Sequence, residues 1–229
     1  MQINILHLYP DLLNLYGDKG NICALSKRLE WRGIEACVFE CNEDFSPENY
    51  DILYLGGGGE REEAEVFEKL QKKKDVICDY VEKGGVLVAT CGGFELLGKL
   101  GILDIEIKKA EKRLIGNIVL ECELNGQTVT VTGFENHIES VNIKNHTPFG
   151  KVVFGKGNNG EDKTEGVVYK NVFATHLHGP LLPKNSLLCD YILSKALENK
   201  GENSVILEPV DDNFEQIAQE EIKKRVLNN

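Results

Sequence analysis

The apolar residues of the N-terminal part fall into short runs separated by amphipathic stretches. Gln2 to Tyr9, with Ile3, Ile5, Leu6 and Leu8 apolar, predicts a first strand. The stretch 11–20 mixes leucines with Gly17, Asp18 and Gly20, the composition of a shaped loop running into a helix. Asn21 is placed to cap that helix, and Ile22, Leu25 and Leu29 carry its apolar stripe as far as Gly33. Strands are expected at 34–40 and 51–55. The second of these ends in Gly56-Gly57-Gly58-Gly59 and leads into an amphipathic helix over 60–83, with Ala64, Val66, Phe67 and Leu70 on one side. Val86 to Ala89 is a further buried strand, and Phe94 to Leu97 opens the next helix. Apolar strands joined through helices predict an α/β fold with a mostly parallel central sheet flanked by helices.

After Gly101 the pattern becomes alternating. Segments 104–109, 113–123 and 127–134 read as strands, and Asn125-Gly126 is a dipeptide suited to a tight hairpin turn, so an antiparallel portion is added to the sheet. A loop follows over 155–166, then strands at 166–170 and 172–175, the second ending in His176-Leu-His178-Gly-Pro180. Lys184-Asn185-Ser186 caps a helix over 187–198, and 212–227 is amphipathic on Phe214, Ile217, Ile222 and Val226. No repeat, biased segment or linker interrupts the chain, and a single domain over 1–229 is expected.

Composition narrows the class. With 229 residues and 41% hydrophobic content the chain can build a full core. A net charge of -11 and the lack of a long basic stretch argue against a nucleic-acid partner. Lys72-Lys73-Lys74 reads as a solvated helix face. No run is apolar enough to span a membrane, and no leader pattern is present, so a cytoplasmic protein is expected. Seven cysteines, an odd number with no C-x-x-C pair, fit reduced thiols rather than a disulfide framework or a zinc site.

The chemistry concentrates around Gly85-Val-Leu-Val-Ala-Thr-Cys91-Gly-Gly-Phe-Glu-Leu-Leu-Gly98. One cysteine stands between a strand and a helix, with a small residue two positions before it and glycine two positions after. That is the spacing of a nucleophile elbow, where larger flanking residues would clash. At the helix N-terminus the free N–H groups favour a thiolate, and the N–H of Gly92 is available to an oxyanion. The alternative is a cysteine buried in a core strand. The Gly56–Gly59 turn lacks phosphate-binding spacing and is followed by acidic residues, so a turn offering N–H groups to an oxyanion or polar substrate is the better reading. A cysteine nucleophile needs a base. Of the five histidines, His178 at the end of a strand is best placed, His7 lies inside the first strand, and His146 lies in a polar loop. No carboxylate follows His178 closely, so the orienting acid is left open.

Taken together, the glycine turn, Ala89-Thr-Cys91-Gly-Gly-Phe-Glu, Gly133-Phe-Glu135-Asn-His137 and His178-Gly-Pro resemble the triad-type glutamine amidotransferases of the cobyric acid synthase (CobB/CobQ) group. The likeness runs from 13–21 through 112–119 and 157–166 to 178–185. It implies the flavodoxin-like fold of class I glutamine amidotransferases. It implies that Cys91 attacks the carboxamide of L-glutamine, that His178 moves the proton, and that the N–H groups of Gly92 and of the turn at Gly57 and Gly58 hold the oxyanion. Arg113 matches the family position that binds the glutamine, and its fork suits the α-carboxylate. Glu135 and His137 match a motif near the family's active site and are expected to support it. Cobyric acid synthases carry their own ATP-dependent domain, for which this chain has no room and no Walker A motif. The resemblance therefore implies a heterodimer with a MurT-like Mur ligase subunit, which uses ATP and Mg to amidate the D-glutamate of lipid II. No metal or cofactor is expected in this chain. A stand-alone cysteine amidase and a non-catalytic thiol sensor remain as alternatives.

Overall fold

The computed structural model describes residues 1–201 and 207–227. The central sheet has six strands in the order β2-β1-β3-β4-β10-β9. They are β1 Gln2–Leu8, β2 Glu35–Cys41, β3 Ile52–Leu55, β4 Val86–Thr90, β9 Val167–Tyr169 and β10 Val172–Thr175. The first five in that spatial order run parallel, and β9 closes the edge antiparallel to β10. The helices are α1 Lys19–Glu30, α2 Glu60–Gln71, α3 Lys74–Glu82, α4 Gly92–Lys99, α5 Ser186–Asn199 and α6 Asn213–Leu227. The strand order reverses direction at β1 and β3, which opens a crevice at the carboxyl ends of the strands.

The continuous apolar runs of β1, β3 and β4 divide between two cores by strand alternation. Ile3, Ile5, Tyr54, Val86 and Val88 pack with Leu25 and Leu29 of α1 and with Leu188, Ile192 and Leu193 of α5. Leu6, Leu8, Leu53, Leu55, Leu87 and Ala89 pack on the other face with residues of α2, α3 and α4.

A second, four-stranded antiparallel sheet has the order β6-β5-β7-β8, from β5 Glu106–Leu124, β6 Gln127–Asn142, β7 Gly150–Phe154 and β8 Thr164–Glu165. Asn125 and Gly126 make the β5–β6 turn with φ of 50° and 75°, the left-handed pair that a two-residue hairpin demands. The two strands expected at 104–109 and 113–123 are one long strand with a register shift. Lys109 faces Glu139 and Leu114 faces His137, so four residues on β5 bulge opposite a single residue on β6. β6 also runs past 134 to Asn142 and takes Glu135 and His137 into the sheet.

Two helix expectations are corrected. Asn21 is not the cap of α1. The helix begins at Lys19, and Asn21 sits in its first turn, buried, with its amide committed to Tyr54 and to the N–H of Leu182. The helix over 60–83 is two helices broken at Lys72 and Lys73. Val66, Leu70, Ile77 and Val81 form the buried stripe, and an unbroken helix would place Lys73 or Lys74 on it. The break turns these lysines outward, and Lys73 pairs with Asp44.

α1 and α5 are tied to the segment before α6 by a largely buried ion cluster. Arg28, 4% exposed, holds Asp190 through Nε at 2.6 Å and Asp212 through Nη1 at 2.6 Å, while Arg32 reaches Asp190 at 2.7 Å. Arg28→Ala is expected to cost about 3 kcal/mol in urea denaturation, because it strands Asp212 and leaves Asp190 to Arg32 alone. Arg28→Lys should recover only part of that, since an ammonium lacks the planar fork that spans both.

Candidate active site

Four segments meet at the carboxyl ends of the parallel strands: the loop after β1, the glycine turn after β3, Cys91 after β4, and His176 to His178 after β10. Cys91 adopts φ 51° and ψ -121°, a strained conformation for a residue with a side chain. Its N–H donates to the Thr175 carbonyl at 2.8 Å, which fixes it against β10. The flanking glycines are required by space. A Cβ on Gly93 would overlap the Leu55 carbonyl oxygen and lie 2.8 Å from that of Gly56. A Cβ on Gly57 would lie 2.9 Å from Cys91 Cβ and 3.2 Å from the Gly92 nitrogen. Cys91, Gly92 and Gly57 are therefore in contact, as strand neighbours ending at one level must be.

The electrostatics differ from the thiolate expected at a helix N-terminus. Burial pushes the Cys91 thiol well up, and Glu95 and Glu63 push it further, against a hydrogen bond from the Gly92 N–H. The helix end does favour the anion, but two carboxylates and a nearly dry site outweigh it. Glu63 Oε1 accepts the N–H of Gly58 at 3.3 Å, so that N–H already has a resident acceptor. Glu63 and Glu95 both escape a sequence reading, because acidic residues in α2 and α4 look like ordinary solvated positions.

His178 is 6% exposed, and its N–H donates to the Phe134 carbonyl at 3.0 Å. Its ring stacks on Tyr16 with centroids 4.0 Å apart and meets the edge of Phe134 at 5.7 Å. Nε2 has no hydrogen-bond partner among the described residues. Burial, with Lys184 and His176 adding, lowers its pKa to about 4, so the imidazole is neutral at pH 7 and able to accept a proton. Tyr16 joins the parts. Burial and the neighbouring Cys91 raise its pKa to about 12, against the pull of Arg113, so its hydroxyl lies within electrostatic reach of both. Sequence reasoning read 11–20 only as a shaped loop and missed Tyr16.

Arg113 lies in the bulge of β5, exposed, with Nη1 donating to Asn136 Oδ1 at 3.0 Å. Glu135 is spent on backbone: its carboxylate accepts the N–H groups of Lys156 and Gly157 at 2.7 and 2.8 Å, holding that loop against β6. His137 hydrogen-bonds the Glu139 carbonyl through Nδ1 at 2.7 Å and stacks on His176 at 3.7 Å. His176 itself is fully buried beside Glu165. Burial alone would lower its pKa, but Glu165 more than offsets this and raises it. All seven cysteines are free. Among the described residues no group of three His, Cys, Asp or Glu side chains is placed to hold a metal ion, and no helix is long and apolar enough to cross a membrane.

Glu63 gives a pH signature. Burial and Glu95 raise its pKa from 4.5 to about 7, so the folded state binds its proton more tightly than the unfolded state does. Stability from this group is full below pH 4.5 and is lost as pH rises through 7. Glu63→Gln should therefore gain thermal stability relative to the parent protein between pH 5 and pH 8. Melting curves of both proteins across that range check it, and a constant gap would refute it.

The CobB/CobQ-like glutamine amidotransferase domain family matches residues 4–186. The chain is 42% identical to the GatD subunit of lipid II isoglutaminyl synthase (glutamine-hydrolyzing) from Staphylococcus aureus, over 87% of this chain and 86% of the relative. It is 36% identical to the GatD subunit of that synthase from Streptococcus pneumoniae, over 96% and 90%. A glutamine amidotransferase structure from Thermotoga maritima superposes with a TM-score of 0.55 at 14% identity, covering 99% of both chains, and at that identity it speaks for the fold alone. The strand order, the cysteine elbow and these likenesses agree: the chain is an enzyme of the CobB/CobQ-like glutamine amidotransferase family.

Proposed function

We propose that this chain is the glutamine-hydrolysing subunit of a two-subunit amidotransferase, and that Cys91 works through a glutamyl thioester. The observation that carries the reading is Cys91 in its strained turn, touching Gly57 and Gly92, beside a Tyr16 ring that stacks a neutral His178. Cys91 Sγ attacks the side-chain carboxamide carbon of L-glutamine while the thiol proton passes to His178. A protonated thiol and a neutral imidazole, with Tyr16 against both, suit a transfer made at the moment of attack. The tetrahedral oxyanion is held by the Gly92 N–H and by the Gly58 N–H, on which it displaces the Glu63 carboxylate. Collapse breaks the C–N bond, His178 returns the proton to the nitrogen, and ammonia leaves. Water, deprotonated by His178, then hydrolyses the thioester to glutamate and restores the thiol. Arg113 has only Asn136 as a hydrogen-bond partner among the described residues, and its guanidinium receives the α-carboxylate of the substrate.

The GatD relatives are named as subunits of lipid II isoglutaminyl synthase, which supports delivery of the ammonia to a separate ligase. That partner is a MurT-like Mur ligase subunit, which spends ATP with Mg to amidate the D-glutamate of lipid II. No carboxylate hydrogen-bonds the His178 ring among the described residues, and the partner supplies the orienting acid.

Purified chain, with and without the Mur-ligase-like subunit, should release glutamate from glutamine, and the partner should raise kcat. Cys91→Ser should reduce the rate by about 10³-fold or more, the order expected when a nucleophile is removed from a site whose groups act together. With the parent protein, kcat/KM should fall as pH drops towards about 4, where His178 takes up a proton and ceases to be a base. Absence of glutamate release in the presence of partner would sink the proposal.

A further inference from the structure

A buried hydrogen-bond cluster lies directly under the candidate site. Asp18, 2% exposed, accepts the Tyr54 hydroxyl at 2.8 Å and the Thr90 hydroxyl at 2.9 Å, both on Oδ1. The Tyr54 and Thr90 hydroxyls are themselves 2.8 Å apart. Asn21 donates to the Tyr54 hydroxyl at 2.6 Å and accepts the N–H of Leu182 at 2.7 Å. Tyr54, Thr90 and Asn21 are 0%, 0% and 1% exposed.

The positions of these residues give the cluster its meaning. Thr90 is the last residue of β4 and the neighbour of the nucleophile. Tyr54 lies one residue from the end of β3, just before the glycine turn. Leu182 lies four residues beyond His178. Asp18 itself ends the loop that carries Tyr16 under the His178 ring. Its side chain fills the space where a Cβ on Gly56 would lie, at 2.7 Å from its Cγ. The N–H groups of Tyr16 and Gly57 lie close enough to favour its charged form, against the burial that raises its pKa. One carboxylate thus contacts β3, β4, the glycine turn and the Tyr16 loop, and Asn21 carries the cluster on to Leu182 beyond His178. A buried acid is costly to the fold, and an apolar residue would fill the space more cheaply. A carboxyl group kept there serves geometry.

We propose that Asp18 is a positioning residue for glutamine hydrolysis: through Thr90, Tyr54 and the Tyr16 loop it sets Cys91, the glycine turn and the His178 ring in register. The proposal rests on the glutaminase reading given above. Asp18 does not touch substrate. It holds the groups that do at the sub-ångström tolerance that attack requires.

The test uses the full chain with its partner, and the variants Asp18→Asn, Thr90→Val and Thr90→Ser. Asp18→Asn should lower kcat by about 10-fold or more with KM within about twofold, since alignment and not ground-state binding is lost. Thr90→Val should do the same, and Thr90→Ser, which keeps the hydroxyl, should restore the rate. A kcat within about twofold of the parent for both Asp18→Asn and Thr90→Val would overturn the proposal. So would a rate loss that Thr90→Ser fails to restore.

A second readout is alkylation of Cys91 by iodoacetamide against pH, followed by mass spectrometry. The charged groups facing the thiol are Glu95 on α4, Glu63 on α2 and Asp18, with the Tyr16 hydroxyl from the β1 loop. If Asp18 fixes the place of the sulfur, Asp18→Asn and Thr90→Val should each change the alkylation rate by about threefold or more wherever the chain is folded, and Thr90→Ser should restore it. A change shared by both variants and reversed by the serine is the mark of lost alignment, and rates equal to the parent's would overturn the proposal. This arm uses no glutamine. It therefore reports on Asp18 even where the parent protein releases no glutamate, the outcome that defeats the glutaminase reading itself.

Discussion

A residue with a Cβ held at positive φ is stable only where its surroundings allow no other path for the chain. At Cys91 that demand is met by close approach. The backbone oxygens of Leu55 and Gly56 press on Gly93, Gly57 lies against Cys91 Cβ, and Thr175 fixes the cysteine N–H. Each of these contacts comes from a neighbouring parallel strand ending at the same height. The parallel sheet is thus more than a scaffold for the elbow. Without β3 and β10 beside it, the strained turn would relax, and the sulfur would lose its fixed relation to Gly92 and to the β10 histidines.

Charge in the crevice is arranged in two opposing sets. Burial, with Glu95, Glu63 and Asp18 adding to it, keeps the thiol protonated, and burial keeps His178 neutral. Neither the thiol nor the His178 imidazole is ionised at pH 7. A preformed ion pair would have to be sheltered from water at some cost to the fold, whereas a neutral pair sits in a dry site without one. In the proposed mechanism charge separates only as bonds are made, beside the Gly92 N–H.

Much of this was legible in the chain because it is local. A cysteine between an apolar run and two glycines, a glycine turn at a strand end, and a histidine before Gly-Pro are patterns of a few residues, and strand alternation placed them at one sheet edge. What escaped depends on distant segments. Tyr16 is unremarkable in sequence and matters because the β1 loop crosses to reach a residue far along the chain. Asn21 looked like a cap because caps are short polar residues before an apolar stripe, yet its amide is drawn inward by Tyr54 and Leu182. Glu63 and Glu95 sit in helices where acidic residues normally face water, and only the packing of α2 on α4 turns them toward the sulfur. The helix break at Lys72 and Lys73 was readable in principle, since the buried stripe and the lysines cannot both be kept in one unbroken helix.

The Asp18 cluster also bears on the order in which the site comes into being. Its members emerge from the ribosome in the sequence Asp18, Asn21, Tyr54, Thr90 and finally Leu182. When Cys91 is made, four of these five residues already exist, but Leu182, and His178 with it, lie 80 to 100 positions further on. During synthesis the cysteine is therefore an ordinary thiol on an incomplete sheet. Competence arrives late and all at once, when β10 slots between β4 and β9 and the segment behind it closes on Asn21. A nascent chain of this architecture cannot begin to consume glutamine before it has folded.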